Sequence, residues 1–327
     1  MNTIPICFST DNNYFPYMAA AIHSVMENSN KQQLYQIFVL YADTDISEEN
    51  KVKLVNLIKV YDNFTVEYID VTNYIKEYSF NTTFFPKESY CRLLIPYILD
   101  RYEKVIYLDC DIICLEDIAK ILNDKPTDAV IDGVRNIFNL DKSINDCKEY
   151  IAQLGIKKSQ DYFNAGVLVF NTAAFTKTIS QDKLFSMANL SHIKYADQCI
   201  LNIVCEGRVR FLDMAWNVMP VYNIKLQYPF NEENKIAKEH PYIIHYIDKP
   251  WKQFYVTKRQ AYFWQYAIKT PFFDAKYPEI NDGDLRESIY NDIRNGKRFG
   301  PKFITRCSAL WIITKLNFFS KMFRGPC

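Results

Sequence analysis

Glycine is scarce in this chain, with 8 in 327 residues, and histidine scarcer still, with 4. So little glycine excludes a collagen-like fibre, and 49% apolar with 24% charged residues excludes a disordered chain. No run approaches the ~20 consecutive apolar residues of a membrane-spanning helix, which excludes an ordinary multispan protein. Neither charge dominates: the formal net charge is +1, so the broad basic surface of a nucleic-acid-binding chain is missing. The nine cysteines (7, 91, 110, 114, 147, 199, 205, 307 and 327) are odd in number and include no Cys-x-x-Cys pair, so structural zinc and thioredoxin chemistry have no support. They read as small, free, mostly buried side chains. The first residues carry no charged n-region or cleavage site and read as a strand instead of a signal peptide. Together these features point to a reducing cytoplasm.

What the chain does have is an alternation of apolar runs and helical patterns. Residues 4–9, 36–41, 64–69 and 104–108 read as strands, and 14–27 and 47–61 as helices. Residues 88–99 read as helical, with Pro96 bending or ending the helix. This order predicts an α/β fold whose mainly parallel sheet is covered on both faces, with ligands beyond the carboxyl ends of the strands. Farther on, 163–170 reads as a strand, 196–206 as a helix, and 208–212 and 242–246 as short strands. From residue 297 onward there are seven lysines and arginines and no acidic residue, leaving the other 296 residues at about −6. The expected division is an α/β domain over 1–255, a helical extension over 256–296 and a basic tail over 297–327.

The most informative run is Lys104-Val-Ile-Tyr-Leu-Asp109-Cys-Asp111. It ends an apolar strand in two carboxylates one residue apart, where the chain leaves the pleat and both can turn toward one hard cation. Oxygen ligands of this kind suit Mn²⁺ or Mg²⁺; an Asp-rich turn is the plainer alternative. The second element is His245-Tyr-Ile-Asp-Lys249-Pro-Trp251. His245 can complete a metal site, and Lys249, on a proline-stiffened turn, can neutralise a pyrophosphate. A core histidine is the alternative for His245. His240 reads as a surface residue.

Taken in order, five blocks resemble family 8 glycosyltransferases, retaining enzymes that use sugar nucleotides. The blocks are Cys7-Phe-Ser-Thr-Asp-Asn-Asn-Tyr14, Tyr90-Cys-Arg-Leu-Leu94, Val105-Ile-Tyr-Leu-Asp-Cys-Asp111, Phe163-Asn-Ala-Gly-Val-Leu168, and Ala196-Asp-Gln-Cys-Ile-Leu-Asn202 followed by residues 245–251. The resemblance implies a GT-A type nucleotide-binding domain with a small helical C-terminal part. It implies that Asp11, Asn13 and Tyr14 hold uracil and ribose, with Ser9 and Thr10 along the same edge. Arg92 would reach the diphosphate or donor sugar, and Asp109, Asp111 and His245 would bind Mn²⁺. Asn164, Asp197 and Gln198 would face the donor sugar, Asp132 would lie near the donor or acceptor sugar, and Lys249 would grip the diphosphate. The spacer between His245 and Lys249 is shorter than is usual in the family.

The implied activity is transfer of galactose or glucose from a UDP-sugar to a glycan such as a lipopolysaccharide core. Retention requires either a covalent intermediate on Asp197 or Asp132, or attack from the leaving-group face beside Gln198; the same-face route is preferred. A metal-dependent phosphohydrolase would call for a second metal and more ligands, and a transferase-like scaffold without turnover is the other alternative. In the tail, Ile312, Leu316, Phe319 and Phe323 share one helical face and Thr314, Asn317, Lys321 and Arg324 the other. That pattern predicts peripheral attachment to the anionic inner face of a bacterial membrane and a lipid-linked acceptor. A C-terminal helix packed on the catalytic domain, or a nucleic-acid arm, are the alternatives.

Overall fold

The computed structural model describes residues 3–42, 46–83, 85–122, 127–141, 145–221, 224–252 and 258–273. Continuous apolar runs at the start of the chain become buried strands: β1 (Ile4–Ser9), β2 (Tyr35–Tyr41), β3 (Phe64–Asp70) and β4 (Lys104–Leu108). They are followed by β5 (Ile112–Cys114), β6 (Ile131–Arg135), β7 (Phe163–Asn171), β8 (Val209–Phe211) and β9 (Ile243–His245). Seven strands form one sheet in the order β3-β2-β1-β4-β7-β6-β8, and β5 pairs with β9 separately. β1 lies parallel to β2 and β4, β2 to β3, and β6 to β8, while β7 runs antiparallel to both β4 and β6. The sheet is therefore mainly parallel with one reversed strand, the GT-A type of α/β fold.

Helix α1 (Phe15–Asn28) opens with Pro16, whose missing N–H is no loss at a helix start. Helix α2 (Glu48–Ile58) is capped by Ser47, whose Oγ accepts a hydrogen bond from the Asn50 amide at 3.2 Å. Residues 88–99 depart from the expected helix. A 3₁₀ helix over Lys87–Leu94 passes into one α-turn, Ile95–Ile98, and Pro96 sits at that turn's start instead of bending a longer helix. Alternate residues of the central strands supply two cores. Val105, Tyr107, Leu168 and Phe170 pack into one, and Ile106, Leu108, Val167 and Val169 into the other, so both faces of the sheet are covered.

Helix α3 (Ala196–Val204) packs against the first of these cores. Beyond β9, helix α4 (Lys258–Ala267) lies on α1, where Lys269 pairs with Glu27 at 2.8 Å and Asn28 Nδ2 donates to Tyr266 Oη at 2.9 Å. A third core of aromatic rings joins them, with Tyr17 stacked on Trp251 at 3.6 Å between centroids. The described part of the 256–296 extension is thus helical up to residue 267, and the basic 297–327 tail lies outside the described residues. The seven described cysteines are all free, and six are buried. Among the described residues, no helix is long and apolar enough to cross a membrane.

Candidate active site

The sheet register brings the two informative runs together. Asp109 leaves the end of β4, and its amide donates to the Gly166 carbonyl of β7 at 2.9 Å. Ile112 of β5 lies opposite His245 of β9, and the Tyr246 amide donates to the Asp111 carbonyl at 2.9 Å. His245 Nε2 consequently lies 3.2 Å from Asp111 Oδ1 and 3.7 Å from Asp109 Oδ2. Ligand atoms of Asp109, Asp111 and His245 all fall within 4.8 Å of one another. Asp111 Oδ1 is buried without a hydrogen-bond partner, an orphaned oxygen that a cation would satisfy. Two hard carboxylates and one imidazole fit a divalent ion of the Mn²⁺ or Mg²⁺ class.

Gly166 is what lets the strands come so close. A Cβ there would collide with His245 Cε1 and lie 2.7 Å from Nδ1 and 2.8 Å from Asp109 Oδ2. The Tyr107 hydroxyl donates to Asp109 Oδ1 at 2.8 Å. Lys249 Nζ contacts Asp111 Oδ2 and donates to the Tyr246 carbonyl at 2.7 Å. In this structure Lys249 is therefore bound to a carboxylate of this cluster instead of standing free for a phosphate. Burial raises the energy of ionised Asp111, but His245 and Lys249 outweigh it and hold the carboxyl well below the usual range.

Arg92 is buried and fully engaged by the protein, which differs from the expected reach toward the donor. Its guanidinium pairs with Asp109 at 2.9 Å and Asp197 at 3.0 Å, and donates to the Ala165 carbonyl at 2.7 Å and the Ser89 carbonyl at 3.0 Å. It also lies over the Tyr107 ring, 4.4 Å from the centroid. Arg92 thus joins Asp109 of the Asp-Asp-His cluster to Asp197 at the start of α3. Burial pushes the Asp197 carboxyl up to about 7, against the pull of Arg92 and helped by Asp109. The residue before it, Ala196, has φ +42°, a left-handed conformation costly for a side chain with Cβ.

A chain of carboxamides runs beside these charges. Gln198 Oε1 accepts from the Ala165 amide and from Asn164 Nδ2, both at 3.1 Å, and its Nε2 donates to Tyr162 Oη at 3.3 Å. Asn164 Oδ1 accepts from the Gly166 amide at 2.9 Å and from Asn217 Nδ2 at 2.8 Å. Asn217 Oδ1 lies 2.9 Å from His245 Nδ1. Asn164 sits near the beginning of β7, inside the strand. Asn217 went unnoticed in the sequence; the available signal was a lone amide inside the apolar run Met214-Ala-Trp-Asn-Val-Met219. Tyr107 was equally invisible, since it reads as one more strand residue.

The β1 end lies beside this cluster, because β1 and β4 run parallel and Cys110 Sγ donates to the Ser9 carbonyl at 3.1 Å. Ser9 Oγ donates to the Glu88 carbonyl at 2.8 Å, and Thr10 Oγ1 to the Asp11 carbonyl at 3.0 Å. Asp11 Oδ1 accepts from the Tyr14 amide at 2.7 Å, and Asn13 is exposed at the rim with Nδ2 3.4 Å from Asp11 Oδ2. The half-buried Tyr14 ring meets Trp251 edge-on at 6.2 Å, and its phenol feels both Lys249 and Asp111.

Asp132 is not brought to this cluster. It lies in β6 opposite Val169, about 10 Å along β7 from Gly166, and its carboxylate is bound by Arg210 of β8, with Nε donating to Oδ1 at 3.0 Å. An arginine on the neighbouring strand, far off in sequence, is the reason for the difference.

Comparison with known proteins places these features in context. A model of the family described as Glycosyl transferase family 8 matches residues 5–254. A Haemophilus influenzae protein is 28% identical over 221 residues, covering 67% of this chain, and the chain spans 64% of that relative's length. Lipopolysaccharide glucosyltransferase WaaO of Escherichia coli is 26% identical over 315 residues, 89% of this chain and 83% of that one. Among solved structures, galactosyltransferase LgtC in complex with donor and acceptor sugar analogues superposes with a TM-score of 0.66 at 22% identity, covering 86% of this chain and 99% of that one.

Proposed function

The chain belongs to glycosyl transferase family 8, and from that premise we propose that it is a retaining hexosyltransferase moving galactose or glucose from a UDP-sugar to a saccharide acceptor. The observation that carries this reading is the convergence of Asp109, Asp111 and His245, with the buried Asp111 Oδ1 lacking a hydrogen-bond partner. These three residues would hold Mn²⁺, or Mg²⁺ in its place, which when bound supplies Lewis-acid withdrawal of charge from the diphosphate leaving group.

The remaining roles belong to the chain's own side chains. Tyr14, with Ser9, Thr10, Asp11 and Asn13 along the β1 end, receives the uridine. Lys249 turns from Asp111 to the diphosphate oxygens and places a fixed positive charge on them in a closed pocket. Asn164 and Gln198 face the donor sugar. Arg92 acts indirectly, holding Asp109 and Asp197 in place. Asp197 is committed to Arg92, and the Gln198 oxygen to two N–H donors. Neither offers a free nucleophile, which favours attack by the acceptor hydroxyl from the leaving-group face, its proton passing to a diphosphate oxygen.

The acceptor in this reading is a lipopolysaccharide core or another lipid-linked saccharide, as the name of WaaO suggests by kinship. The basic tail would hold the protein on an anionic membrane surface, at the cytoplasmic face, with about 1 kcal/mol per basic residue near the lipid.

The test is UDP release from a panel of UDP-sugars, with and without Mn²⁺. Release is expected only with Mn²⁺ and mainly from UDP-galactose or UDP-glucose. Asp109→Ala and Asp111→Ala should each abolish it together with Mn²⁺-dependent UDP binding. Release of inorganic phosphate instead of UDP would indicate a phosphohydrolase, and unaltered UDP affinity in both variants would refute the metal assignment.

A further inference from the structure

The carboxamide chain has a direction, and two backbone amides set it. A backbone N–H only donates, so the atoms of Gln198 and Asn164 that receive Ala165 N–H and Gly166 N–H must be oxygens. With its Oδ1 so assigned, Asn164 offers only an acceptor to Asn217, and Asn217 must present Nδ2 to it, at 2.8 Å. The other end of Asn217 is then its oxygen, 2.9 Å from His245 Nδ1. An amide oxygen cannot donate, so the proton of that bond resides on Nδ1. A neutral imidazole carries one N–H. In the neutral form, the one able to bind a cation, Nε2 is then the lone pair, and it is Nε2 that stands 3.2 Å from Asp111 Oδ1 and 3.7 Å from Asp109 Oδ2.

We propose that Asn217 is a positioning residue: through a carboxamide relay anchored on the Ala165 and Gly166 amides, it holds His245 as the Nδ1–H tautomer with the Nε2 lone pair aimed between Asp109 and Asp111. The proposal deepens the reading of this cluster as a divalent-cation site and rests on it for its purpose, though the tautomer itself follows from the hydrogen bonds alone. Asn217 is well suited to the task. It is buried in a short 3₁₀ helix, Met214–Asn217, capped by Asp213, and the next residue, Val218, donates from its amide to the Ile243 carbonyl at 2.9 Å. The His245 amide in turn donates to the Val218 carbonyl at 3.0 Å. Backbone and side chain thus lock together, and a partner on the second imidazole nitrogen typically changes metal affinity about 10–100-fold when removed.

Long-range ¹H–¹⁵N spectra of the imidazoles in the metal-stripped full chain, at about pH 8 where ordinary imidazoles are neutral, read the tautomer directly; 4 histidines keep the spectrum simple. His245 is expected to show a protonated Nδ1 and an unprotonated Nε2. The opposite tautomer, or an even mixture, in the native protein overturns the proposal. Asn217→Ala should abolish this preference and weaken Mn²⁺ binding about 10–100-fold. Asn217→Asp, which keeps an oxygen for Nδ1–H, should retain the tautomer and serves alone if the alanine variant does not fold. A native tautomer and native Mn²⁺ affinity in Asn217→Ala would also overturn it. If the native chain shows the Nδ1–H form but takes up no Mn²⁺, the cation-site reading fails while the tautomer assignment stands.

Discussion

Two buried carboxyls of the same site behave in opposite ways. Asp111 faces His245 and Lys249 and stays ionised, whereas Asp197, buried beside Arg92 and within the field of Asp109, has its pKa pushed up to about 7. A carboxyl whose folded pKa lies above its unfolded one binds its proton more tightly in the folded state. Its contribution is therefore fully present below the unfolded value, near 4, and is lost as pH rises to about 7. The expected loss is about 1.4 kcal/mol per pH unit across that window, and Asp197→Asn should lack it. Urea denaturation of both proteins at intervals between about pH 4 and 7 isolates the slope in their difference; parallel curves would contradict the burial of an ionisable Asp197. Gly166 offers a second single-residue test. Gly166→Ala drives a Cβ into His245 and Asp109, and should cost about 1–3 kcal/mol in stability. It should also weaken Mn²⁺ binding at least about tenfold through the displaced histidine, as measured by titration of free Mn²⁺ by electron paramagnetic resonance.

Strand register decides which carboxylates share a site. β4 ends where β7 begins, so Asp109 meets Gly166, and the β5–β9 ladder sets His245 beside Asp111. Asp132 lies partway along its strand, opposite Val169 and Arg210, and pairs with that arginine. Asp132→Asn leaves a largely buried Arg210 without its counter-charge and should destabilise the fold by about 3 kcal/mol. Mn²⁺ affinity should stay within about twofold of native, since Asp109, Asp111 and His245 stand at the ends of other strands. Lost UDP release with unchanged stability would instead return Asp132 to the sugar site. The five sequence blocks located nearly every element that carries the site. What they could not show was that Arg92 is consumed by two carboxylates, or that Asn217 reaches the back of His245, since both depend on contacts between distant segments.

At the scale of the whole molecule, charge is divided between a slightly acidic body and a tail with seven basic residues and no acidic ones. If the tail docks on anionic lipid, deleting residues from Lys297 onward should release the protein from anionic vesicles, with a steep salt dependence in the intact chain. UDP release should persist, because Asp109, Asp111 and His245 all lie in the strand framework of residues 4–245. Vesicle sedimentation of both forms checks this. A truncated protein that still sediments, or an intact one that never does, removes the membrane from the account and favours a soluble acceptor.

The α/β alternation was legible in the residues alone, because hydrophobic periodicity reports on burial before any partner is known. So were the candidate metal ligands, because a pair of aspartates after a buried strand and a histidine at a short strand's end carry their chemistry in their type and place. How those side chains are aimed was set by the folded chain. The proton on His245, the oxygen left orphaned on Asp111, the engagement of Lys249 and Arg92, and the removal of Asp132 from the cluster all follow from hydrogen bonds and ion pairs between segments far apart in the chain. Such pairings leave no periodic trace in a sequence, since each is fixed by the register of strands that meet only when the sheet has formed.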